Sequence, residues 1–207
     1  NNVMNALVIV DVQNDFMPGG SLEVPHGDII LPLINRLQKD FDLVVATQDW
    51  HPQNHKSFAS NHSNKKPFNE INLHGMKQIL WPDHCVQGSK GAEFHPDLEI
   101  NKIEAIFRKG MNPEIDSYSG FYDNDHKKST GLSGYLKEKG ISELYFCGLT
   151  SDICVYYTIK DSLKEGFSAT LIEDASRPLS NDALASIKSE LRKMGVRIIN
   201  SKEQWSI

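Results

Sequence analysis

Short apolar runs rich in β-branched residues alternate along the chain with longer segments whose apolar positions recur every three or four residues. The runs predict buried strands, and the longer segments predict helices with one face against a core. The predicted strands are residues 6–11, 43–49, 104–110, 143–149, 168–175 and 197–200, and the predicted helices cover about 28–39, 130–139, 152–165 and 181–194. This alternation predicts an α/β fold, a three-layer α/β/α sandwich with a central, mostly parallel six-stranded sheet.

The segment from about residue 50 to 91 breaks this alternation. It is polar and too long for a simple crossover, and long insertions in compact domains often carry function. Five of the eight histidines lie in it: His51, His55, His62, His74 and His84. Because 207 residues is an ordinary size for one α/β domain, we predict a single domain over residues 1–207 with a functional loop insertion at about 50–91.

Charge and hydropathy narrow the classes of partner. The formal net charge is −5 and both signs are scattered along the chain, which gives no electrostatic case for nucleic acid or an anionic membrane. No apolar run approaches the roughly 20 residues that span a bilayer, and the first residues lack the pattern of a secretory signal. We therefore expect a cytoplasmic protein with a small-molecule substrate, either a monomer or a homodimer.

Several chemically active side chains are predicted at the carboxyl ends of strands, where parallel sheets bind ligands. Asp11 and Asp49 end the first two predicted strands, Lys109 is next to last in the third, and residues 149–154 turn from the fourth strand into a helix. Their convergence would give one active site, with Asp11 as a base and Lys109 as a charge-stabilising group for a nucleophile. The alternative for Asp11 and Lys109 is a plain solvated ion pair.

Asp49 and His51 also form a candidate metal site. They are two residues apart just after a strand, a spacing at which extended backbone points both side chains the same way. With His84 they make an Asp/His/His set that suits Zn²⁺, Fe²⁺ or Mn²⁺. Solvated loop residues are the alternative, because short motifs often match by chance. His55 is a weaker candidate that either approaches the metal or caps the following segment.

The three cysteines, with no CxxC pair, do not suggest a disulfide framework. Cys147 falls within a predicted strand and Cys85 beside a candidate ligand, so both are expected to be structural. If Ser151 is the N-cap of the next helix, Cys154 lies in its first turn, where a thiolate is stabilised. The same helix end, with the amide of Thr150, could hold an oxyanion. A small buried hydrophobe is the alternative for Cys154.

Three aromatic residues, Phe16, Trp81 and Tyr118, are predicted in loops rather than at core spacing. Such rings hold a flat apolar ligand well. Trp81, which precedes Pro82, could equally pack its loop onto the sheet.

The segments that carry these residues resemble the nicotinamidase (pyrazinamidase) family of the isochorismatase-like cysteine hydrolase superfamily. The matching stretches, in family order from about residue 5 to 180, are "VDVQNDFMPGGSLEV", "VVATQDWHP", "WPDHCVQGSKGAEFHPDL", "FRKG", "YSGF" and "GLTSDICV". Together they are specific, whereas each alone would be weak. The resemblance implies an isochorismatase-like fold and a metal-assisted deamidase of NAD salvage. Such an enzyme converts nicotinamide to nicotinate and ammonia through a thioester, and also acts on pyrazinamide.

The resemblance also implies residue roles. The catalytic triad would be Asp11, Lys109 and Cys154, and the ligands of one divalent ion, Zn²⁺ before Fe²⁺ or Mn²⁺, would be Asp49, His51 and His84, with His55 a further candidate. The insertion at 50–91 would then be a metal-binding loop. Phe16 and Trp81 would sandwich the pyridine ring, Tyr118 and Leu149 would line the pocket, and the amides of Thr150 and Cys154 would form the oxyanion hole.

Two features concern the oxyanion hole. The family has a cis peptide bond before the oxyanion-hole residue, which here would be Leu149–Thr150. The chain has Thr150-Ser151-Asp152 where Ala-Thr-Asp is commoner, a difference that affects the shape of the pocket and not the reaction.

Other functions stay open at this point. One is a different amidase of the superfamily with a carbamoyl or ureido substrate, although many such relatives lack the Asp/His/His set. An isochorismatase proper fits less well, since Cys154 would have no use. A non-catalytic metal-binding module on the same fold belongs to another class, and the combination of Asp11, Lys109 and Cys154 argues against it.

Overall fold

The computed structural model describes residues 4–203. This part of the chain forms eight strands and four α-helices. The strands are β1 (Met4–Val10), β2 (Leu43–Asp49), β3 (Glu70–Leu73), β4 (Met76–Ile79), β5 (Ile103–Lys109), β6 (Ile141–Leu149), β7 (Ser168–Arg177) and β8 (Arg197–Ile199). The helices are α1 (Leu31–Leu37), α2 (Leu132–Glu138), α3 (Cys154–Lys164) and α4 (Asn181–Lys193).

Six strands form the central sheet, in the order β5-β2-β1-β6-β7-β8. Every neighbouring pair in this sheet is parallel. The predicted α/β/α fold is confirmed, and the ends of the six predicted strands agree with the structure to within two residues. The first predicted helix is shorter than expected, because 3-10 turns at Gly27–Ile30 and Gln38–Asp40 flank α1.

Two apolar cores cover the two faces of the sheet. Along β1, Leu7 and Ile9 point to a core shared with α1 and the loops that follow β1 and β4. Ala6, Val8 and Val10 point to the opposite core, which includes side chains of α2, α3 and α4. This alternation buries both faces of β1, and a fully buried strand of a parallel sheet has the continuous apolar run seen here.

The segment 50–91 contains a hairpin that the sequence pattern does not predict. Its strands β3 and β4 are antiparallel and form a separate two-stranded sheet. Each strand has four residues, most of them partly or fully exposed. With so little buried surface, the hairpin leaves no apolar alternation in the sequence to reveal it.

The prediction of one domain over residues 1–207 stays a prediction, and residues 1–3 and 204–207 at its ends lie outside the described residues. Among the helices of the described chain, none is long and apolar enough to cross a membrane.

The sheet topology brings the candidate residues to one edge. Asp11 follows the last residue of β1, while Asp49 and Lys109 are the last residues of β2 and β5 and register partners across those strands. β6 ends at Leu149, just before the turn into α3, and Asp152 lies within that turn. The carboxyl ends of these four neighbouring strands therefore form the floor of a common site.

Gly148, near the end of β6, permits a close approach between β6 and β1. Its φ is +106°, and a Cβ at this position would overlap the carbonyl oxygen of Val10. The backbone packing that places the carboxyl ends of these two strands side by side therefore requires glycine at position 148.

Gly148→Ala is expected to lower the free energy of unfolding by about 3 kcal/mol or more, because backbone strain adds to steric overlap. Gly140→Ala is the matched control, since Gly140 has a φ of +76° but its Cβ would lie 3.9 Å from the nearest atom, Met4 Sδ. The control should lose only about 1–2 kcal/mol. Urea unfolding followed by circular dichroism measures both variants, and equal losses would contradict the steric argument.

Candidate active site

A buried ammonium group, Lys109 Nζ, lies at the centre of the site. It lies 2.8 Å from Asp11 Oδ2 and 2.9 Å from Asp49 Oδ1. It also donates to the carbonyl oxygen of Ser117 at 3.1 Å and lies 3.6 Å from Cys154 Sγ. Burial alone would lower the pKa of Lys109, but the two carboxylates outweigh burial and raise this pKa well above its usual range. The charged ammonium therefore connects a carboxylate to the candidate nucleophile.

Asp11 is a fully buried carboxylate with two different environments for its oxygens. Oδ1 accepts a hydrogen bond from the Thr47 hydroxyl at 2.7 Å, and Oδ2 faces Lys109. Its φ of +49° lies in the left-handed region, which Asp tolerates better than most residues. Burial raises the pKa of Asp11, and the opposing effect of Lys109 does not cancel it. A raised pKa brings the carboxyl closer to the range in which it exchanges protons at neutral pH.

Cys154 is the first residue of α3, so its amide has no acceptor within the helix. The prediction that Ser151 caps this helix is wrong: the N-cap position is Ile153, and the Ser151 hydroxyl instead hydrogen-bonds the Ser176 hydroxyl at 2.7 Å. The predicted stabilisation of a thiolate at this helix end stays a prediction, and burial opposes it. Burial raises the pKa of Cys154 well above its usual range, and Lys109 only partly opposes this. The thiol therefore holds its proton until a base removes it.

Asp49, His51 and His84 bring three ligand atoms together beside this group. Nε2 of His51 lies 3.1 Å from Asp49 Oδ2, and Nε2 of His84 lies 3.4 Å from the same oxygen. Nδ1 of each histidine faces a carbonyl oxygen at 2.8 Å, that of Gly110 for His51 and that of Pro82 for His84. A carbonyl oxygen only accepts, so both Nδ1 atoms carry the proton and both Nε2 atoms point to Asp49.

These three atoms fit a metal ion. Ligand atoms about 2.0–2.1 Å from a tetrahedral zinc lie about 3.3 Å apart, close to the two distances measured to Asp49 Oδ2. Burial raises the pKa of Asp49, but His51 and Lys109 outweigh it and hold the pKa well below its usual range. Burial lowers the pKa of His51, yet Asp49 raises it to about 9. A divalent ion would displace the Nε2 proton of His51 on binding.

His55 is close to this group but poorly placed as a ligand. A ring nitrogen of His55, one of His51 and a carboxylate oxygen of Asp116 lie within 4.8 Å of one another. However, Nδ1 of His55 accepts the Ser57 N–H at 3.0 Å, so its Nε2 carries the proton and faces the Ile115 carbonyl oxygen at 3.3 Å. Burial lowers the pKa of His55 to about 4. Neither nitrogen of this neutral ring offers a free lone pair to a metal ion.

A pocket beside Cys154 contains the residues predicted to bind substrate. Its lining includes Phe16, Trp81, Tyr118, Leu149 and Thr150. Trp81 and Phe16 also pack against the core on that face of the sheet, so Trp81 both lines the pocket and packs its loop onto the sheet. The peptide bond between Leu149 and Thr150 is cis. The pocket thus places aromatic and aliphatic walls around the thiol.

Sequence reasoning missed four residues that shape the site. Gln13 accepts the Asp49 N–H at 2.9 Å and donates to the Asp49 carbonyl oxygen at 2.8 Å, which fixes the end of β2. The Thr47 hydroxyl donates a hydrogen bond to Asp11, and Asp116 lines the pocket. The carbonyl oxygen of Gly110 accepts a hydrogen bond from the His51 ring. Gln13 lies in the recognised stretch "VDVQNDF" and could have been singled out there. Asp116 does not lie at the end of a strand and has no motif of its own in the sequence.

A thiol, a carboxylate and an ammonium at the carboxyl edge of a parallel sheet are the parts of a cysteine hydrolase. The chain belongs to the isochorismatase family: the model of the isochorismatase domain matches residues 5–203. It is 48% identical to a nicotinamidase of Acinetobacter baylyi, over 95% of this chain and 92% of that protein.

Solved structures support the same relationship. A nicotinamidase/pyrazinamidase of Acinetobacter baumanii superposes with a TM-score of 0.93 at 50% identity, with 96% of each chain covered. A pyrazinamidase of Pyrococcus horikoshii, solved in complex with zinc, superposes with a TM-score of 0.78 at 36% identity, with 95% of this chain and 98% of that chain covered. The fold and the hydrolase family are thus established.

Gly110→Ala is expected to weaken metal binding by at least about tenfold, because the partners that orient metal-binding histidines contribute about this much to affinity. Gly110 has a φ of +73°, and a Cβ there would overlap His51 Cε1 and lie 2.7 Å from His51 Nδ1. Zinc affinity, measured by competition with a chromophoric chelator, tests this expectation.

Gly75→Ala is the matched control for this experiment. Gly75 has a φ of +83°, but a Cβ there would have no atom within 4 Å. It therefore introduces similar backbone strain without displacing the imidazole. Equal zinc affinities for the two variants would show that His51 tolerates the extra methyl group.

Proposed function

We propose that the protein is a nicotinamidase that hydrolyses nicotinamide to nicotinate and ammonia and also accepts pyrazinamide. The observation that carries the proposal is the position of Lys109, whose ammonium contacts Asp11 and lies 3.6 Å from Cys154 Sγ, next to an Asp/His/His cluster. The names of the similar proteins support the substrate. We propose that residues 1–207 form one domain with a metal-binding loop at about 50–91.

The substrate would bind with its pyridine ring between Phe16 and Trp81, and Tyr118 and Leu149 would complete the walls of the pocket. Asp49, His51 and His84 would hold one divalent ion, which supplies a Lewis acid to an electron-pair donor such as the ring nitrogen. The zinc complex of the Pyrococcus horikoshii relative favours Zn²⁺ over Fe²⁺ or Mn²⁺. The fixed ring would place the carboxamide carbon near Cys154 Sγ.

In the first half of the reaction, Asp11 would take the thiol proton of Cys154 while Lys109 stabilises the negative charge between them. The thiolate then attacks the amide carbon, and the carbonyl oxygen becomes an oxyanion. The N–H groups of Thr150 and Cys154 would stabilise it. Asp11 returns the proton to the nitrogen, the C–N bond breaks, and ammonia leaves a thioester on Cys154.

In the second half, Asp11 would act as a base again. It removes a proton from a water molecule that attacks the thioester carbon, and the same oxyanion hole holds the second tetrahedral intermediate. Collapse of this intermediate breaks the C–S bond, releases nicotinate and returns the proton to Cys154 Sγ. One carboxylate therefore acts as the base in both half-reactions. The raised pKa of Asp11 favours this role, because the group can then both accept and return a proton.

Each alternative function would leave some of these residues without a role. A carbamoyl- or ureido-directed amidase would use the same thiol but would give Asp49, His51 and His84 no part in holding a substrate ring. A non-catalytic metal module would leave the buried contact between Lys109 and Asp11 without a role. We propose a cytoplasmic location and a monomer or homodimer, with no nucleic-acid or membrane partner.

Cys154→Ala is expected to lower nicotinamide turnover by at least about 10⁴-fold, because the covalent step loses its nucleophile. Cys147→Ala is the matched control: this thiol is also buried, but it lies within β6 with Sγ 3.8 Å from the Val8 carbonyl oxygen. The control should keep most of its turnover and lose some stability. Ammonia release and zinc content are measured for both, and an active Cys154→Ala variant would remove this residue from the mechanism.

Metal removal provides a second test of the function. Dialysis against a chelator should lower ammonia release from nicotinamide by at least about tenfold, because the ring would lose its anchor. Stoichiometric Zn²⁺ should restore the rate. Full turnover by protein verified to be metal-free would contradict the role of the Asp/His/His cluster. No turnover with zinc bound would point instead to another amide substrate.

A further inference from the structure

Asp116 is a buried carboxylate that the proposed mechanism does not use. It lies in the segment between β5 and α2, is 3% exposed, and lines the same pocket as Cys154. Oδ1 accepts the Ser117 N–H at 2.8 Å, and Oδ2 accepts a long bond of 3.4 Å from Gln78 Nε2. In residues 4–203, no Lys, Arg or His nitrogen lies within 4.0 Å of this carboxylate.

The other buried aspartates of the described chain have stronger partners. Asp11 and Asp49 pair with Lys109, and Asp161 pairs with His126 at 2.9 Å. Asp152 accepts two loop amides, at 2.9 and 3.0 Å, one on each oxygen. A buried carboxylate without a cation in direct contact or two good hydrogen bonds is costly, so Asp116 favours positive charge at the neighbouring His51, one of whose ring nitrogens lies within 4.8 Å.

The candidate metal centre lies beside it. A carboxylate oxygen of Asp116 is within 4.8 Å of a ring nitrogen of His51. Once a divalent ion has displaced the Nε2 proton of His51, the three carboxylates of Asp11, Asp49 and Asp116, together with the single ammonium of Lys109, leave two negative charges uncompensated. Two is the charge that one divalent ion cancels, and a bound ion is often the largest charge in its site.

We propose that Asp116 is a positioning residue of the metal centre. Its carboxylate supplies the second uncompensated negative charge opposite a divalent ion at the Asp/His/His cluster and so increases the affinity of the cluster for that ion. The role is electrostatic and acts across the distance between Asp116 and the cluster, so Asp116 is not proposed as one of the ligands. The inference rests on the metal centre of the proposed function.

The test compares the zinc affinity of apo-protein variants by competition with a chromophoric chelator. Asp116→Asn keeps the size and an acceptor for the Ser117 N–H but removes the charge, and it should bind Zn²⁺ at least about tenfold more weakly. Asp116→Glu keeps the charge and should stay within about threefold of the original protein. Asp161→Asn removes a buried carboxylate outside the cluster and should also stay within about threefold. Circular dichroism checks the fold of each variant. Asp116→Ser replaces Asp116→Asn, and Asp161→Ser replaces Asp161→Asn, if the Asn variant fails to fold.

Two results would overturn the inference. Unchanged zinc affinity in Asp116→Asn would show that the charge of Asp116 does not affect metal binding at the cluster. Equal losses in Asp116→Asn and Asp161→Asn would show a general effect of removing a buried charge. Both measurements use no substrate. A failure of Asp116 therefore leaves the nicotinamidase proposal standing, whereas an original protein that does not bind Zn²⁺ removes both the metal centre and the role of Asp116.

Discussion

The burial of the Lys109 ammonium among oxygen atoms is the constraint on which the rest of the site depends. An ammonium without water is strongly destabilising unless several acceptors surround it. Here two carboxylates and one backbone carbonyl oxygen lie within 3.1 Å of Nζ. Each acceptor comes from a different part of the chain, so the folded arrangement of β1, β2 and the segment after β5 must be complete before the charge is stabilised.

The parallel sheet satisfies that constraint through its register. β1 and β5 flank β2, so the carboxyl ends of all three strands lie side by side, and Asp49 and Lys109 are direct register partners. This is why much of the fold and the site could be predicted from the sequence. Strand ends are local features of an apolar run, and the topology of parallel sheets brings those ends together whatever the loops do.

The parts that could not be predicted depend on contacts between distant segments. Serine is a residue type that commonly caps helices, but the Ser151 hydroxyl instead hydrogen-bonds the hydroxyl of Ser176 in β7. His55 is a plausible ligand by residue type, yet contacts with Ser57 and Ile115 occupy both of its ring nitrogens. Asp116 has no sequence signal, since its importance comes only from where the loop after β5 places it. In each case, residue type alone does not specify the hydrogen-bond partner.

Asp49 links the two halves of the site through its two oxygens. Oδ1 lies 2.9 Å from the Lys109 ammonium, whereas Oδ2 faces the Nε2 atoms of His51 and His84. A divalent ion at the histidines would draw electron density from this carboxylate and weaken its attraction for Lys109. The ammonium would then interact more strongly with Asp11 and with the sulfur of Cys154. In the proposed mechanism, loading of the metal centre and activation of the thiol would therefore be coupled through Asp49, and the coupling would favour thiolate formation in the metal-loaded enzyme.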